Sequence, residues 1–172
     1  YPIDAGVAKV VFGKCVNVGQ TCIAPDYVLL PKAIKDDFIA AFSKQVERFY
    51  GGQGAAMEQS DSYGRIIDDK NFKRLNELSE DALEKGATMH MERGLNAENK
   101  FMSTVLLSNV TPDMKVMQEE IFGPILPIMT YDNLEDVPAI LNDFEKPLAL
   151  YIISKNKKNR RFILENTTSG GA

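Results

Sequence analysis

Two thiols, Cys15 and Cys22, and a single imidazole, His90, decide which reactions are open to this chain. One histidine excludes a catalytic zinc centre built on two or three imidazoles, and a Cys–His or Ser–His nucleophile would have to recruit His90 itself. His90 alternates with Met89 and Met91 in a stretch that reads as a strand, so it is expected at a surface or edge in a structural role. If Cys15 ends a helix and Cys22 follows in an extended turn, their Cα atoms lie on the order of 10 Å apart, beyond disulfide reach. Cys15, between Lys14 and Val16, reads as a small buried hydrophobe. Cys22 is different: it follows Asn17-Val18-Gly19-Gln20-Thr21 and precedes Ile23-Ala24-Pro25, a polar, glycine-hinged segment that can present a thiol with its own backbone N–H free. Glu119 and Glu120, taken by residue type alone, are a solvated acidic pair before a strand. Gly52-Gln53-Gly54-Ala55-Ala56-Met57 lacks the third glycine of a phosphate loop and follows a helix, so it is a loop and no more.

The elements that must position these residues follow from apolar periodicity. Val7, Val10 and Val11 predict a helix over 4–14 that runs into the Cys22 loop. Tyr27 to Leu30, closed by Pro31, reads as a buried strand. Ile34, Phe38, Ile39, Phe42, Val46 and Phe49 share one face of a helix over 33–50, which Gly51-Gly52 stop. A second helix over 71–85 turns Phe72, Leu75, Leu78 and Leu83 inward, with Gly86 just past its end. Short strands are expected at 87–91, 101–107 and 125–131, then a short helix at Leu134 to Leu141. Leu148 to Ile153 is almost continuously apolar and reads as a strand buried on both faces. A basic helix over 155–166 follows. Strands alternating with helices predict an α/β fold, a largely parallel sheet with helices on both faces.

The bulk composition narrows the class. At 172 residues, 44% hydrophobic and 26% charged, the chain is expected to form a single domain, 1–172, with a real core. A net charge of −4 and the lack of a basic stripe argue against nucleic acid as a partner. No window approaches a membrane span, and reduced thiols in a chain with no sign of export suggest the cytoplasm. The abrupt start at Tyr1-Pro2-Ile3-Asp4 and the stop at Ser169-Gly170-Gly171-Ala172 suggest a piece truncated at both ends.

Here a resemblance becomes specific. Asn17-Val18-Gly19-Gln20-Thr21-Cys22, followed by Ala24-Pro25, resembles the N-x-G-Q-x-C active-site signature of aldehyde dehydrogenases. Glu119-Glu120-Ile121-Phe122-Gly123-Pro124 resembles that family's E-E-I-F-G-P motif, and Pro147-Leu148-Ala149-Leu150-Tyr151 and Thr168-Ser169-Gly170-Gly171 resemble later stretches, so the likeness covers nearly the whole chain. Pro25-Asp26-Tyr27-Val28-Leu29, Gly64-Arg65-Ile66-Ile67 and Val116-Met117-Gln118 are most similar to class 3 enzymes, and to coniferyl-aldehyde dehydrogenases in particular.

The resemblance implies an NAD- or NADP-dependent oxidoreductase acting on an aldehyde, in a homodimer or other homo-oligomer. It implies Cys22 as the nucleophile, forming a thiohemiacetal whose oxyanion is held partly by the Cys22 backbone N–H, then a thioester that water cleaves. Glu120 and Phe122 map onto the pair that binds the nicotinamide ribose and flanks the nicotinamide, while Asn17 and Gln20 are expected to shape the loop rather than touch substrate. Ser103 departs from the family pattern, which places a proline before Thr-Val. The E-L-G-G-K glutamate that acts as general base, the asparagine that supplies a second oxyanion donor, and the G-x-T-x-x-G of the N-terminal NAD-binding domain have no match, so this piece is expected to be inactive alone. Two alternatives remain: a non-catalytic, self-associating domain, and a thiol-dependent acyl transferase or hydrolase, which needs a base near Cys22 that His90 is poorly placed to be.

Overall fold

Val7, Val10 and Val11 become the buried stripe of α1 (Ile3–Cys15). The computed structural model describes residues 3–172; Tyr1 and Pro2, from which a truncated start was inferred, lie outside the described residues. After a 3-10 turn at Lys32–Ile34, α2 (Lys35–Tyr50) packs along α1 with Phe38, Phe42 and Val46 buried. Gly51 closes it in the left-handed region at φ 80°, its N–H bonding the Glu47 carbonyl at 2.9 Å. Tyr50, rather than the expected Phe49, takes the inward place, because it continues the i+4 row from Phe42 and Val46. Ile34 stands four residues before Phe38, but it lies in the 3-10 turn ahead of the helix and is exposed.

The helix α3 (Asp69–Glu84) starts at Asp68, whose carboxylate accepts the Asn71 N–H at 2.7 Å. Leu75 and Leu78 are buried as the periodicity predicts, and Phe72 is half-buried against the core. Leu83 is instead 36% exposed: Ala82 stands one turn on from Leu78 and takes the inward place, and the next residue is rotated by about 100° away from the core.

The strands β1 (Val28–Pro31), β2 (Thr88–Met89), β5 (Val105–Ser108) and β6 (Ile125–Tyr131) form one sheet in the order β1-β6-β5-β2. β1 and β5 both run parallel to the central β6, and β2 joins the edge antiparallel, so the α/β class and the largely parallel sheet are as predicted. The strand expected over 101–107 is split. β3 (Leu95–Asn96) and β4 (Phe101–Met102) make a separate two-stranded sheet, because Ser103 turns its main chain and hydroxyl onto Gly94: the Ser103 N–H donates to the Gly94 carbonyl at 2.9 Å, and its Oγ accepts the Gly94 N–H at 2.8 Å. A proline at 103 could make neither bond, so the departure from the family pattern has a local structural use.

Leu148 to Ile153 does not form the doubly buried strand that its apolar run suggests. Its main chain meets the segment near Gly171 through an isolated bridge at Ala149, and Leu148 and Tyr151 are 57% and 56% exposed. No further strand lies alongside it among the described residues. α4 (Val137–Asn142) and α5 (Lys157–Asn166) flank this segment in sequence. His90 is half-buried just past β2, where its N–H bonds the Leu106 carbonyl and its Nε2 lies 2.6 Å from Ser108 Oγ. Burial holds its pKa below the usual histidine value, in keeping with a neutral, structural side chain. Among the described residues, no helix is long and apolar enough to cross a membrane.

Leu75 carries the most specific stability prediction. It is fully buried, and its side chain fills the space where a Gly123 side chain would otherwise stand. Leu75→Ala should lower unfolding free energy by about 2–5 kcal/mol in chemical denaturation, because a cavity remains where neighbours cannot collapse. A loss below about 1 kcal/mol would mean the site relaxes around the smaller side chain.

Candidate functional site

The loop that presents Cys22 begins with backbone strain. Asn17, Val18 and Gly19 all lie in the left-handed region, at φ 50°, 59° and 74°. For Val18, a buried β-branched residue, that conformation costs on the order of 1–3 kcal/mol and persists only where surrounding contacts over-determine it. Those contacts come largely from Gln20. Its Nε2 donates to the Asn17 and Arg65 carbonyls, both at 3.0 Å, and its Oε1 accepts the Ile67 N–H at 2.9 Å. Asn17 Nδ2 donates in turn to the Gln20 carbonyl at 3.0 Å. Asn17 and Gln20 therefore shape the loop, as expected, and the Gly64-Arg65-Ile66-Ile67 segment is the surface they brace against.

Cys22 itself sits in a tight turn closed by the Ala24 N–H on the Thr21 carbonyl at 3.0 Å, and its side chain is exposed. The phenol of Tyr151 donates to the Ile23 carbonyl at 2.9 Å, so the Pro147 to Tyr151 segment reaches the same turn. That segment is joined to the Ser169-Gly170-Gly171 stretch by the Gly170 N–H on the Pro147 carbonyl and the Leu150 N–H on the Gly171 carbonyl.

The Glu119 to Pro124 stretch packs against this loop from the other side. A methyl group added to Gly19 would collide with the Gly123 carbonyl, its carbon only 2.7 Å from the carbonyl carbon. No side chain fits between the two main chains at that point. Asp26 adds a second joint, its Oδ1 accepting the Ile121 N–H at 3.0 Å. Arg74, from α3, donates to the Ile121 carbonyl at 2.6 Å and to the Glu120 carbonyl at 3.4 Å. Ile121 is buried, while Glu119 and Glu120 are exposed and Phe122, at φ 49°, is 40% exposed. The structure thus brings the main chains carrying Cys22, Glu120 and Phe122 into one packed unit.

Beneath it lie charges that apolar patterning did not reveal. Lys14 is buried at the end of α1, and desolvation pulls its pKa down to about 8, opposed by the Asp26 carboxylate and by Cys15. Burial raises the Asp26 pKa, against the pull of Lys14, the Ile121 N–H and Arg74. Cys15 is buried as expected, and desolvation pushes its thiol up to about 12 despite hydrogen bonds involving Thr104 and Tyr50. Asp26, Arg74 and Lys14 are the residues that sequence reasoning missed as parts of the site. Asp26 stood inside a quoted motif without a role, and Arg74 sits on the polar face of a helix, where spacing distinguishes it from no other charge. Among the described residues, no group of three or more His, Cys, Asp or Glu side chains is placed to hold a metal ion.

The comparison with protein families is unambiguous: the aldehyde dehydrogenase family model matches residues 2–172. This chain belongs to the aldehyde dehydrogenase family. A Pseudomonas aeruginosa protein named "Probable coniferyl aldehyde dehydrogenase" is 39% identical over 170 residues, covering 99% of this chain and 35% of that protein. Mouse aldehyde dehydrogenase family 3 member A2 is 38% identical over 169 residues, covering 98% of this chain and 33% of the mouse protein. A solved substrate-bound structure of Staphylococcus aureus AldH superposes with a TM-score of 0.89 at 37% identity, over 99% of this chain and 36% of that one. The chain therefore spans about a third of the length of the aldehyde dehydrogenases it matches, with relatives in class 3 and among coniferyl-aldehyde enzymes.

The contrast between the two thiols is directly measurable. In brief iodoacetamide treatment at pH 8, peptide mapping should find Cys22 alkylated well before Cys15, because alkylation needs access and thiolate, and burial denies Cys15 both. Equal labelling of the two would show that α1 opens from its neighbours on the timescale of the reaction.

Proposed function

We propose that this chain is the thiol-bearing portion of an NAD(P)-dependent aldehyde dehydrogenase, with Cys22 as nucleophile and Glu120 and Phe122 as cofactor contacts. The observation that carries the reading is the joining of the Cys22 loop to the Glu120–Phe122 turn, through the Gly19–Gly123 contact and the Asp26–Ile121 hydrogen bond. Two loops with separate chemical tasks must keep a fixed relation for one reaction, and here nothing but main chain lies between them at their closest point.

The chemistry follows from the residues. The Cys22 thiolate forms a bond from Sγ to the aldehyde carbon, the carbonyl electron pair moves to oxygen, and the Cys22 backbone N–H is one donor for the resulting oxyanion. NAD(P), when bound, accepts the aldehyde hydrogen as hydride. The acyl group left on Sγ is a thioester, which water cleaves to release the acid and the thiol. Glu120 suits a ribose: Arg74 engages its carbonyl and leaves the exposed carboxylate to accept from two hydroxyls. The exposed ring of Phe122 offers the nicotinamide a flat apolar surface.

The substrate is an aromatic aldehyde of the coniferyl type, a reading supported by the class 3-like motifs and by the name of the Pseudomonas relative. The complete enzyme acts in the cytoplasm, in keeping with two free thiols, and as a homodimer or other homo-oligomer. A second reading, a self-associating domain without catalysis, draws on the exposed apolar side chains of Phe12, Leu148 and Tyr151.

These readings separate in one assay. The full-length enzyme should form NADH from an aromatic aldehyde and lose that activity in Cys22→Ala, while the 172-residue portion alone should form none. Steady NADH formation by the isolated portion, abolished by Cys22→Ala, would overturn the claim that it is inactive. No NADH or NADPH from the full-length enzyme supplied with either cofactor would favour the self-association reading.

Glu120→Gln in the full-length enzyme should raise the cofactor Kd or lower the hydride-transfer rate by about tenfold to a hundredfold, since an amide keeps one acceptor oxygen and turns the other end into a donor. Cys22 alkylation should stay near wild type. Normal binding and reduction of NAD by this variant would make Glu120 a solvated acid with no cofactor role.

A further inference from the structure

Ile121 lies between the two proposed cofactor contacts, and both of its flanking peptide groups are held by charged side chains from other elements. The peptide joining Glu120 to Ile121 is gripped at both ends: Asp26 Oδ1 accepts its N–H at 3.0 Å, and Arg74 Nη1 approaches its carbonyl at 3.4 Å. The next peptide, joining Ile121 to Phe122, has its carbonyl held by Arg74 Nη2 at 2.6 Å. Fixing the planes on either side of one residue fixes that residue's φ and ψ, and so the angle between whatever stands before and after it. Here those neighbours are Glu120 and Phe122. The buried Ile121 side chain supplies a third anchor, and Phe122 is kept at φ 49°, a region a bulky residue does not hold without support.

We propose that Asp26 and Arg74 are positioning residues for cofactor binding, clamping the two peptides around Ile121 so that Glu120 and Phe122 meet the nicotinamide riboside in one orientation. This rests on the reading of Glu120 and Phe122 given above. Asp26 follows the Cys22 turn along the same stretch of chain that leads into β1, so the clamp also fixes the thiol loop relative to the cofactor turn. Arg74 contributes through geometry more than charge: its planar fork reaches two successive carbonyls, which a lysine ammonium would meet one at a time.

The test uses the full-length enzyme carrying Asp26→Asn, Asp26→Ala, Arg74→Lys or Arg74→Met, with Leu78→Ala as a control. That control removes, from the same helix as Arg74, a buried side chain that makes none of the hydrogen bonds to the Ile121 peptides. NADH binding is followed by its fluorescence, cofactor KM and kcat by steady-state assay, Cys22 by its alkylation rate, and the fold by thermal unfolding. Asp26→Ala and Arg74→Met should raise the NADH Kd and cofactor KM about tenfold, with kcat at saturating cofactor and Cys22 alkylation within about twofold of wild type. Asp26→Asn and Arg74→Lys, which keep one acceptor or one donor, should recover part of the loss. Leu78→Ala should lower the melting temperature and leave the NADH Kd unchanged.

Unchanged cofactor binding in folded Asp26→Ala and Arg74→Met would overturn the clamp while leaving the dehydrogenase reading intact. So would a loss of affinity in Leu78→Ala equal to theirs, because the effect would then be general loosening. A folded wild-type enzyme that binds neither NADH nor NADPH would instead remove the reading on which the clamp rests, and the clamp with it.

Discussion

The contact on which the rest of the site depends is the one between Gly19 and Gly123. At that point two loops meet main chain to main chain, at a separation that leaves no room for a β-carbon. Gly19 is constrained twice, because it must also adopt φ 74°, which suits a residue without a side chain, and Gly123 must leave room for the Leu75 side chain that packs against it. The Cys22 loop, the Glu119–Pro124 stretch and α3 therefore meet at one place, and the pairing of loops is enforced by exclusion before any hydrogen bond is counted.

Around that contact the fold buries charge. Lys14 and Asp26 are both largely withdrawn from water, and the opposing shifts in their pKa values reflect the same desolvation acting on opposite charges. Burying opposite charges near one another is a poor source of net stability, since their attraction seldom repays the loss of hydration by much. What it supplies here is geometric. Asp26 accepts the Ile121 N–H, and Lys14, buried at the end of α1, favours its charged form. The strained turn at Asn17–Gly19 is held in a similar way, by the two-ended side chain of Gln20 bridging to residues 65 and 67. Strain and desolvation are both offset by the surrounding core, which is what makes such loops definite in shape.

Much of this was legible in the sequence, and the reasons for the exceptions are physical. The helices at 4–14, 33–50 and 71–85 followed from apolar spacing because each has one face on the core. The spacing failed at helix ends, where Phe49 and Leu83 lie one residue off the buried row. The apolar run at Leu148–Ile153 misled because burial depends on a neighbour, and only a single bridge at Ala149 provides one. Cys22, Glu120 and Phe122 stood out through motifs, whereas Asp26 and Arg74 did not, because a residue that acts on another segment's main chain leaves no local pattern. The hydrogen bond from Ile121 to Asp26 spans 95 positions in sequence, and no reading of either segment by itself could join them.

The division between what is exposed and what is buried follows from the chemistry proposed for the site. A thiol that must meet an aldehyde, a carboxylate that must meet a ribose and a ring that must meet a nicotinamide all need open faces, and Cys22, Glu120 and Phe122 have them. Exposed side chains keep rotamer freedom, so their placement cannot come from packing of their own atoms. It has to come from the main chain beneath, and there the fold is over-determined: Gly19 against Gly123, Asp26 and Arg74 on the Ile121 peptides, Gln20 across residues 65–67, and Tyr151 on the carbonyl of Ile23. Reactive groups are thus carried by rigid backbone rather than by rigid side chains. Binding can order the side chains at a modest entropic cost, because the larger cost of ordering the loops was already met in folding.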